Sequence, residues 1–565
     1  MARTFTDPIV TESGPEYMTI RHLRRLRIWI ALVFFMLTLF LFLDFRDFGL
    51  RVIAGEVLYL QFVPSLLQFL DNATLGAAGF ILVLMLTLVF GRVYCSFVCP
   101  LGIFQDLISR LARKRMANPG EKKRTSRFSG SRPHYFLWYA VLSLTVLLFF
   151  AGTGLMLNLL DPFSSFGRIV SHLFRPLVLG ANNLGVPLLE QLGSHALYRV
   201  QWPVFVPAAT GIALATLMVV GWLSARHGRL YCNTLCPVGA LLGLFSKISM
   251  FRIRIAPDAC DSCRQCQRVC KAGCIDLKEK TVDVRRCVAC FNCLAACPGQ
   301  GLAIQNHWRQ PARQNPAKPG RRGFLIGLAA AGMGLGSSRV DAGPVNSADS
   351  SDPVDPVNSA DSAVQTRPTT IPETRTGPIS PPGSVSVARF SSLCTACHLC
   401  VSVCPSRILV PALLDYGLSG MLQPKMDFRS GHCNYDCKDC LEVCPTGAIL
   451  PLSRENKQQV QVGVARFIKE NCVVYTDNTN CGACSEHCPT KAVDMVHYLT
   501  LPDRDLLIPK VNPDICVGCG GCEYACPTKP YKAIYVDGNP VHRKAEKPVE
   551  KAVEQRIDTS EEFPF

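Results

Sequence analysis

Apolar positions along this chain gather into four long runs set between polar and basic segments. The N-terminus is polar as far as Arg21-His22-Leu23-Arg24-Arg25-Leu26-Arg27, and the first run then covers 28–43. The others cover 74–90, 135–160 and 200–225. Each is near or above the length that crosses a hydrocarbon core of roughly 30 Å as a helix. The pattern therefore predicts an α-helical membrane domain of about four spans. Two more apolar pieces, 57–70 and 176–192, are interrupted by Pro or polar residues and read as interfacial helices.

Charge gives these runs a direction. The segment 110–132 holds nine Lys or Arg, against two in 46–73 and three in 161–202. Cytoplasmic loops carry the basic excess, so the N-terminus, the 91–134 loop and the residues after 225 are expected in the cytoplasm. The chain has a formal charge of +16 and 48% apolar residues. Its Lys and Arg flank apolar runs, which points to membrane lipid and away from nucleic acid.

Past the fourth run the hydrophobic pattern breaks up and cysteine takes over. The chain has 29 cysteines. Most fall into C-x2-C-x2-C-x3-C, usually followed by Pro, as at Cys394, Cys397, Cys400, Cys404-Pro405 and at Cys516, Cys519, Cys522, Cys526-Pro527. This is the bacterial ferredoxin run that holds [4Fe–4S] clusters, its fourth Cys serving the other cluster of a pair. Disulfide scaffolds belong to small secreted domains, and zinc sites use longer gaps between paired ligands.

Six sets of four follow. They are Cys260, Cys263, Cys266 with Cys297; Cys287, Cys290, Cys293 with Cys270; Cys394, Cys397, Cys400 with Cys444; Cys433, Cys437, Cys440 with Cys404; Cys472, Cys481, Cys484 with Cys526; and Cys516, Cys519, Cys522 with Cys488. About six [4Fe–4S] clusters are expected, in α+β ferredoxin-like domains. Three features depart from the rule. Cys270 lacks its Pro and is followed by Cys274, so either could be the ligand. Cys433 to Cys437 is one residue too long, and Cys472 to Cys481 is a long gap. Cys394-Thr-Ala-Cys397-His398 also matches a c-type haem attachment pattern. Haem there would orphan Cys400 and Cys404.

Two twelve-residue motifs repeat after different spans. Gly91-Arg92-Val93-Tyr94-Cys95 continues to Cys99-Pro100-Leu101-Gly102, and Gly228-Arg229-Leu230-Tyr231-Cys232 continues to Cys236-Pro237-Val238-Gly239. The repeat implies an internal two-fold pattern. A spacing of i, i+4 places both thiols of a pair on one helical face, and Cys95, Cys99, Cys232 and Cys236 are expected to converge on an additional metal or iron–sulfur centre at the inner membrane face.

The expected organisation is a polar N-terminus (1–20), a membrane domain (21–255), a two-cluster ferredoxin domain (256–305), a basic linker with a short apolar segment (306–338), a disordered linker (339–386), a four-cluster domain (387–537) and a charged tail (538–565). The linker contains a duplicated PVNSADS. Arg321-Arg322 before Phe324-Leu325 reads as a twin-arginine export signal, which places the first ferredoxin domain in the cytoplasm and the second outside. Gly332, Gly334 and Gly336 belong to that apolar segment and form no phosphate loop. No flavin-attachment, dinucleotide, molybdopterin or nucleotide motif is present.

The repeated motifs, Asp161-Pro162-Phe163-Ser164-Ser165-Phe166-Gly167-Arg168 and the cysteine block after them make the first part resemble the NapH-type membrane ferredoxins, grouped with NosR and CcoG. From Arg321 onward the chain resembles the NapG/MauM-type exported ferredoxins, through the signal, Pro381-Pro382-Gly383, Cys440-Leu-Glu-Val-Cys444-Pro-Thr-Gly-Ala448 and Cys516-Val-Gly-Cys519-Gly. Having both in one polypeptide departs from those families, which use separate subunits. The resemblance implies an electron-transfer component of a respiratory system in the inner membrane, multi-pass, oxidising quinol and passing electrons to an exported reductase or cytochrome. Asp161 and His172, in the outer loop, are the candidates for quinone contact. A maturation factor that reduces another enzyme's metal centres, and a redox sensor, are the alternatives.

Overall fold

The computed structural model describes residues 15–44, 51–72, 78–116, 134–298, 301–308, 371–501 and 504–547. The twin-arginine segment, the PVNSADS repeats, most of the basic loop and the last eighteen residues lie outside them. All described residues but Trp308 belong to one compact unit, Met1–His307 with Thr370–Phe565.

The first apolar run forms α1 (Pro15–Leu43), whose apolar stretch begins well inside the helix. The run 57–70 is split into α2 (Arg51–Tyr59) and α3 (Phe62–Asn72). Then come α4 (Gly79–Phe90), α5 (Tyr94–Phe97) and α6 (Pro100–Met116). The third run is not one helix. α7 (Tyr135–Phe150) ends before Gly152, which sits at φ +77°, and α8 (Leu155–Leu160) starts afresh. Asp161 caps α9 (Pro162–Ile169), a π-helical turn follows, and α10 (Arg175–Gln191) carries Pro187 inside it. The fourth helix, α11, covers Pro207–His227 rather than starting at 200. Pro203 and Pro207 lack backbone donors and hold the approach extended, so Pro207 enters as the first helical residue. α12 (Pro237–Ser246) closes the helical part.

Among the described residues, two helical stretches can cross a membrane by length and composition, His22–Leu43 and Pro207–His227. The other two runs give shorter apolar helices, Gly79–Phe90 and Tyr135–Phe150.

Two cysteine-rich lobes pack on this helical part. In the first, β1 (Phe251–Ile255) pairs antiparallel with β4 (Leu302–Asn306), and β2 (Ile275–Asp276) with β3 (Thr281–Val282). Two five-residue helices, α13 (Gln265–Val269) and α14 (Asn292–Ala296), follow its cysteine loops. The lobe begins at Phe251, inside the segment assigned to the membrane domain.

The second lobe is a set of two-stranded antiparallel ribbons: β5 (Leu409–Pro411) with β6 (Pro424–Met426), β7 (Val460–Phe467) with β10 (Ile534–Lys544), and β8 (Val493–Leu501) with β9 (Arg504–Val511). Its order extends past 387–537 on both sides. Arg543 and Lys544 pair with Gln461 and Val460, and Thr376 N donates to Asp537 at 2.8 Å. Both the expected linker end and the expected tail are therefore partly structured, because backbone pairing is available there.

The two lobes meet different parts of the helical domain. The first lobe touches α4, α12 and the turn after α11: Met250 N donates to Leu88 O at 2.7 Å, Ser246 Oγ to Val284 O at 2.8 Å, and Arg229 N to Lys271 O at 2.9 Å. The second lobe meets α3, α8 to α10 and the segment before α11. Arg389 bonds Asp71, Arg168 bonds Ala396 O, and Arg407 Nη1 donates to Trp202 O at 3.1 Å.

Candidate iron–sulfur centres

Four of the six cysteine loops share one backbone shape. The residues two and four places after the first cysteine all have positive φ: Ser262 and Arg264, Ala289 and Phe291, Ala396 and His398, Gly518 and Gly520, at 48–79°. Left-handed residues alternating with right-handed ones turn successive N–H groups to one side, a concavity that binds anions. Six of those eight residues are not glycine, and each pays roughly 1 kcal/mol or more for its conformation. Amides face the sulfurs: Ala289 N–H bonds Cys287, Asn292 bonds Cys290, Ala396 bonds Cys394, Leu399 bonds Cys397, Gly518 bonds Cys516 and Gly521 bonds Cys519. Such a ring of donors fits a negatively charged, thiolate-held cluster.

The other two loops, after Cys433 and Cys472, are the ones whose spacing departs from the rule. There the residues preceding the short helices, Lys438 and Gly482, sit at φ −122° and −125°. One extra residue in the first and the long 473–480 insertion in the second replace the left-handed pair.

The fourth cysteine of each set comes to its triplet. Cys260, Cys263, Cys266 and Cys297 line one hollow, and Cys404, Cys433, Cys437 and Cys440 another. Cys293 lies within electrostatic reach of Cys290, Cys287 and Cys270; Cys400 of Cys397, Cys394 and Cys444; Cys484 of Cys481, Cys472 and Cys526; Cys522 of Cys519, Cys516 and Cys488. Cys274 stays beside its rival: its sulfur is 3.5 Å from that of Cys270, and it also bonds Cys287. Three of the crossing cysteines have a hydroxyl two residues on that contacts the sulfur, Thr446 at 3.7 Å from Cys444, Thr490 at 3.6 Å from Cys488 and Thr528 at 3.2 Å from Cys526. The C-P-T spelling carried that signal in the sequence.

The four remaining thiols, Cys95, Cys99, Cys232 and Cys236, are buried together, Cys236 within electrostatic reach of the other three. Each pair is not on one continuous helix. Cys95 lies in α5, and the chain breaks at Cys99 before α6; Cys232 is in a 3-10 turn, and Cys236 caps α12, its sulfur taking the Gly239 N–H at 3.3 Å. Pro100 and Pro237 force these breaks, since a proline cannot continue the preceding turn. Two breaks in the chain, rather than two helical faces, bring the thiols together.

The two motifs hold each other crosswise. Arg92 donates to the carbonyl of Cys232 at 3.2 Å and to Asn233 Oδ1 at 2.8 Å, while Arg229 donates to the carbonyl of Cys95. Gly102 and Gly239 make room for this: a Cβ on either would lie 2.4 Å from Cys95 O or 2.3 Å from Cys232 O. Gln105 amide donates to Cys232 Sγ at 3.4 Å. Asp106 balances the cations, 2.9 Å from each of Arg27, Arg229 and Lys271. Burial by itself raises the Asp106 carboxyl; Arg229, Lys271 and Arg27 outweigh it and hold the group well below the usual range. Among the described residues no three His, Cys, Asp or Glu side chains crowd round a point as a single ion requires.

Asp161 is buried as the cap of α9, accepting from Ser164 N at 2.8 Å and Ser164 Oγ at 2.7 Å. α9 forms the seat of the second lobe. Arg168 donates to Asn158 O and, at 3.3 Å, to Ala396 O, and Gly167 lies so close to Cys397 O that a Cβ would be 2.4 Å away. His172 Nε2 is 2.7 Å from His398 Nδ1, and Ser171 Oγ 2.9 Å from Ser402 Oγ. His398, the residue that mimics a haem motif, is thus committed to the lobe contact and to Leu422 O at 2.8 Å.

Comparison with known proteins follows this geometry. A family model described as a 4Fe-4S binding domain matches residues 72–119 and 207–256, the two segments that carry the paired motifs. Two models described as 4Fe-4S dicluster domains match 393–449 and 478–530. The ferredoxin-type protein NapH of Haemophilus influenzae is 26% identical over 267 residues, 46% of this chain and 75% of the relative. The chain is similar to the NapH-type and NapG-type ferredoxin proteins. The NapG of Escherichia coli is 32% identical over 147 residues, and the methylamine utilization ferredoxin-type protein MauM of Methylobacillus flagellatus 35% over 145; each covers 25% of this chain, and 62% and 60% of the relative. No solved structure matches. The chain carries several 4Fe–4S-binding domains, its class of activity is iron–sulfur electron transfer, and its apolar helices and NapH likeness make it a membrane protein.

Proposed function

We propose that this chain is a conduit that takes electrons from the membrane quinone pool into an exterior polyferredoxin lobe and on to an exported reductase or cytochrome, with a centre held by Cys95, Cys99, Cys232 and Cys236 joining that lobe to the first one. In this reading the six cysteine sets each hold one [4Fe–4S] cluster, with Cys270 favoured over Cys274. Such clusters pass one electron at a time.

The observation that carries the reading is the position of the four-thiol group between the lobes. On one side Arg92, beside Cys95, donates to Arg285 O of the first lobe at 3.0 Å. On the other, Tyr231, next to Cys232, donates to Leu160 O at 3.2 Å, and α9, which starts at Pro162, carries the Arg168–Ala396 contact to the loop of Cys397. Arg92, Arg229 and Gln105 around the thiols favour a negatively charged group there. A sensor needs no such chain of adjoining sites.

Sidedness follows from charge and signal. The first lobe contacts segments that the basic-loop rule assigns to the cytoplasm, the second contacts 68–71 and 154–202, and Arg321-Arg322 between them reads as an export signal. A four-spans, inner-membrane arrangement accommodates all three. The test is Cys95→Ala with Cys232→Ala. The reading predicts that iron per chain falls by one centre and that electrons given to the first lobe no longer reach the second, read by freeze-quench EPR. Unchanged iron and unchanged equilibration contradict it.

A further inference from the structure

A hollow lies where the second lobe meets the helical domain. Ser171, His172 and Arg175 form one wall, Trp202 to Phe205 and Thr210 another, and Val401, Ser402, Arg407 and Leu409 to Pro411 the third. The third wall is cut from the stretch that contains Cys400 and Cys404, so it borders two of the cysteine sets.

The proton positions at its edge are fixed by chemistry. Leu422 O can only accept, so His398 Nε2 carries the hydrogen and His398 Nδ1 is a lone pair. His172 Nε2, facing that lone pair at 2.7 Å, must therefore donate, which leaves His172 Nδ1 as a lone pair. Burial, helped by Arg168, pushes His172 down to about 4, so the ring is uncharged and able to accept. Arg175 Nε, buried, has no partner. His172, Arg175 and Arg407 all line the hollow, so it brings together one uncharged imidazole and two guanidinium groups. Its rim carries Trp202 and Phe205, 59% and 72% exposed just before α11. Aromatic residues at the end of a span sit at the lipid headgroup level.

We propose that this hollow binds the ring of a membrane quinol, with His172 Nδ1 accepting from one hydroxyl and Arg175 or Arg407 donating to the other oxygen, while the isoprenoid tail leaves past Trp202 and Phe205. The assignment rests on the quinol reading given above. Oxidation breaks two O–H bonds. His172 takes the protons in turn and hands each to water, and the two electrons go singly to oxidised iron–sulfur clusters held by the sets of Cys400 and Cys404. A larger hollow between α1, α4 and the first lobe is the rival, but its walls include no His, Asp or Glu to receive a proton.

The test uses the purified, cluster-loaded full chain in detergent and the quinol mimic 2-heptyl-4-hydroxyquinoline N-oxide, followed by its fluorescence quenching. His172→Gln keeps the donor to His398 but loses the base. It should weaken the probe about tenfold, the worth of one hydrogen bond, and lower the rate of quinol-driven cluster reduction about 100-fold or more with iron content unchanged. Thr210→Phe, which fills the hollow without touching the histidines, should weaken the probe and raise the KM for quinol while sparing kcat. Leu86→Trp, in the larger hollow, should change neither. If quinol reduces the wild-type protein but the first two variants match it, or if only Leu86→Trp loses binding, this site is wrong and the quinol reading stands. If the wild type neither binds the probe nor is reduced by quinol, the reading and the site fall together.

Discussion

Arg229 Nε donates to Asp106 Oδ1 at 2.9 Å inside the protein, with both side chains shielded from water. The pair joins the second cysteine motif to the helix that follows the first, and Lys271 joins the first cysteine-rich lobe to the same carboxylate. Asp106→Asn leaves three buried cations without a counter-charge. Breaking a buried pair in this way costs about 3–5 kcal/mol. The expected result is a large drop in unfolding temperature and weakened docking of the first lobe. Limited proteolysis around 250 and differential scanning calorimetry check it.

Gly102→Ala and Gly239→Ala should act alike, because the two motifs are related by the internal repeat. Each methyl would press on the cysteine carbonyl of its own motif, Cys95 O or Cys232 O, and on the arginine from the other half that bonds that carbonyl, Arg229 or Arg92. We expect loss of the central iron centre with retention of the ferredoxin clusters, seen as a partial fall in iron per chain. Retention of all iron in both variants would show that the crossing can loosen without consequence.

The seat of the second lobe is testable through Arg168. Its guanidinium serves carbonyls of Asn158, Leu159 and Ala396 and the Ser165 hydroxyl. Arg168→Met strands these acceptors in a buried interface, each at roughly 1–3 kcal/mol. Hydrogen exchange at 394–400 should rise by orders of magnitude while exchange in β7 and β10 stays slow.

His542 gives a pH dependence. It bonds Ser380 Oγ at 2.9 Å and pins the Pro381-Pro382-Gly383 segment to β10. Burial pushes it down from the ordinary 6.5 to about 4. The unfolded chain takes up the proton first as pH falls, so the neutral ring's contribution is complete above about 6.5 and is lost between about 6.5 and about 4. With partial exposure the loss is about 1–2 kcal/mol. Denaturant unfolding at pH 7 and pH 5 should show that loss in the wild type and a smaller one in His542→Gln.

What the sequence made legible follows from how local each signal is. The cysteine sets were readable because a cluster loop is a few residues long, and the two sets with odd spacing are the two whose backbone departs. The apolar runs located the helices, but not the break at Gly152, whose positive φ depends on where α8 must go, nor the proline-delayed start of α11. The i, i+4 reading of Cys95 and Cys99 overlooked Pro100, although the proline was in view. The crossing of Arg92 and Arg229, the Asp106 hub and the His172–His398 contact join residues 79 to 226 positions apart. Nothing in the local pattern announces them.

The central claim is that quinol electrons reach the second lobe through this chain. Add a reduced short-chain quinol to the purified, cluster-loaded protein without any partner, and record EPR spectra over time. The account predicts reduced [4Fe–4S] signals that include the sets of the second lobe, and their loss in Cys95→Ala with Cys232→Ala for any electron entering from the first lobe. No cluster reduced by quinol in the intact protein would contradict it.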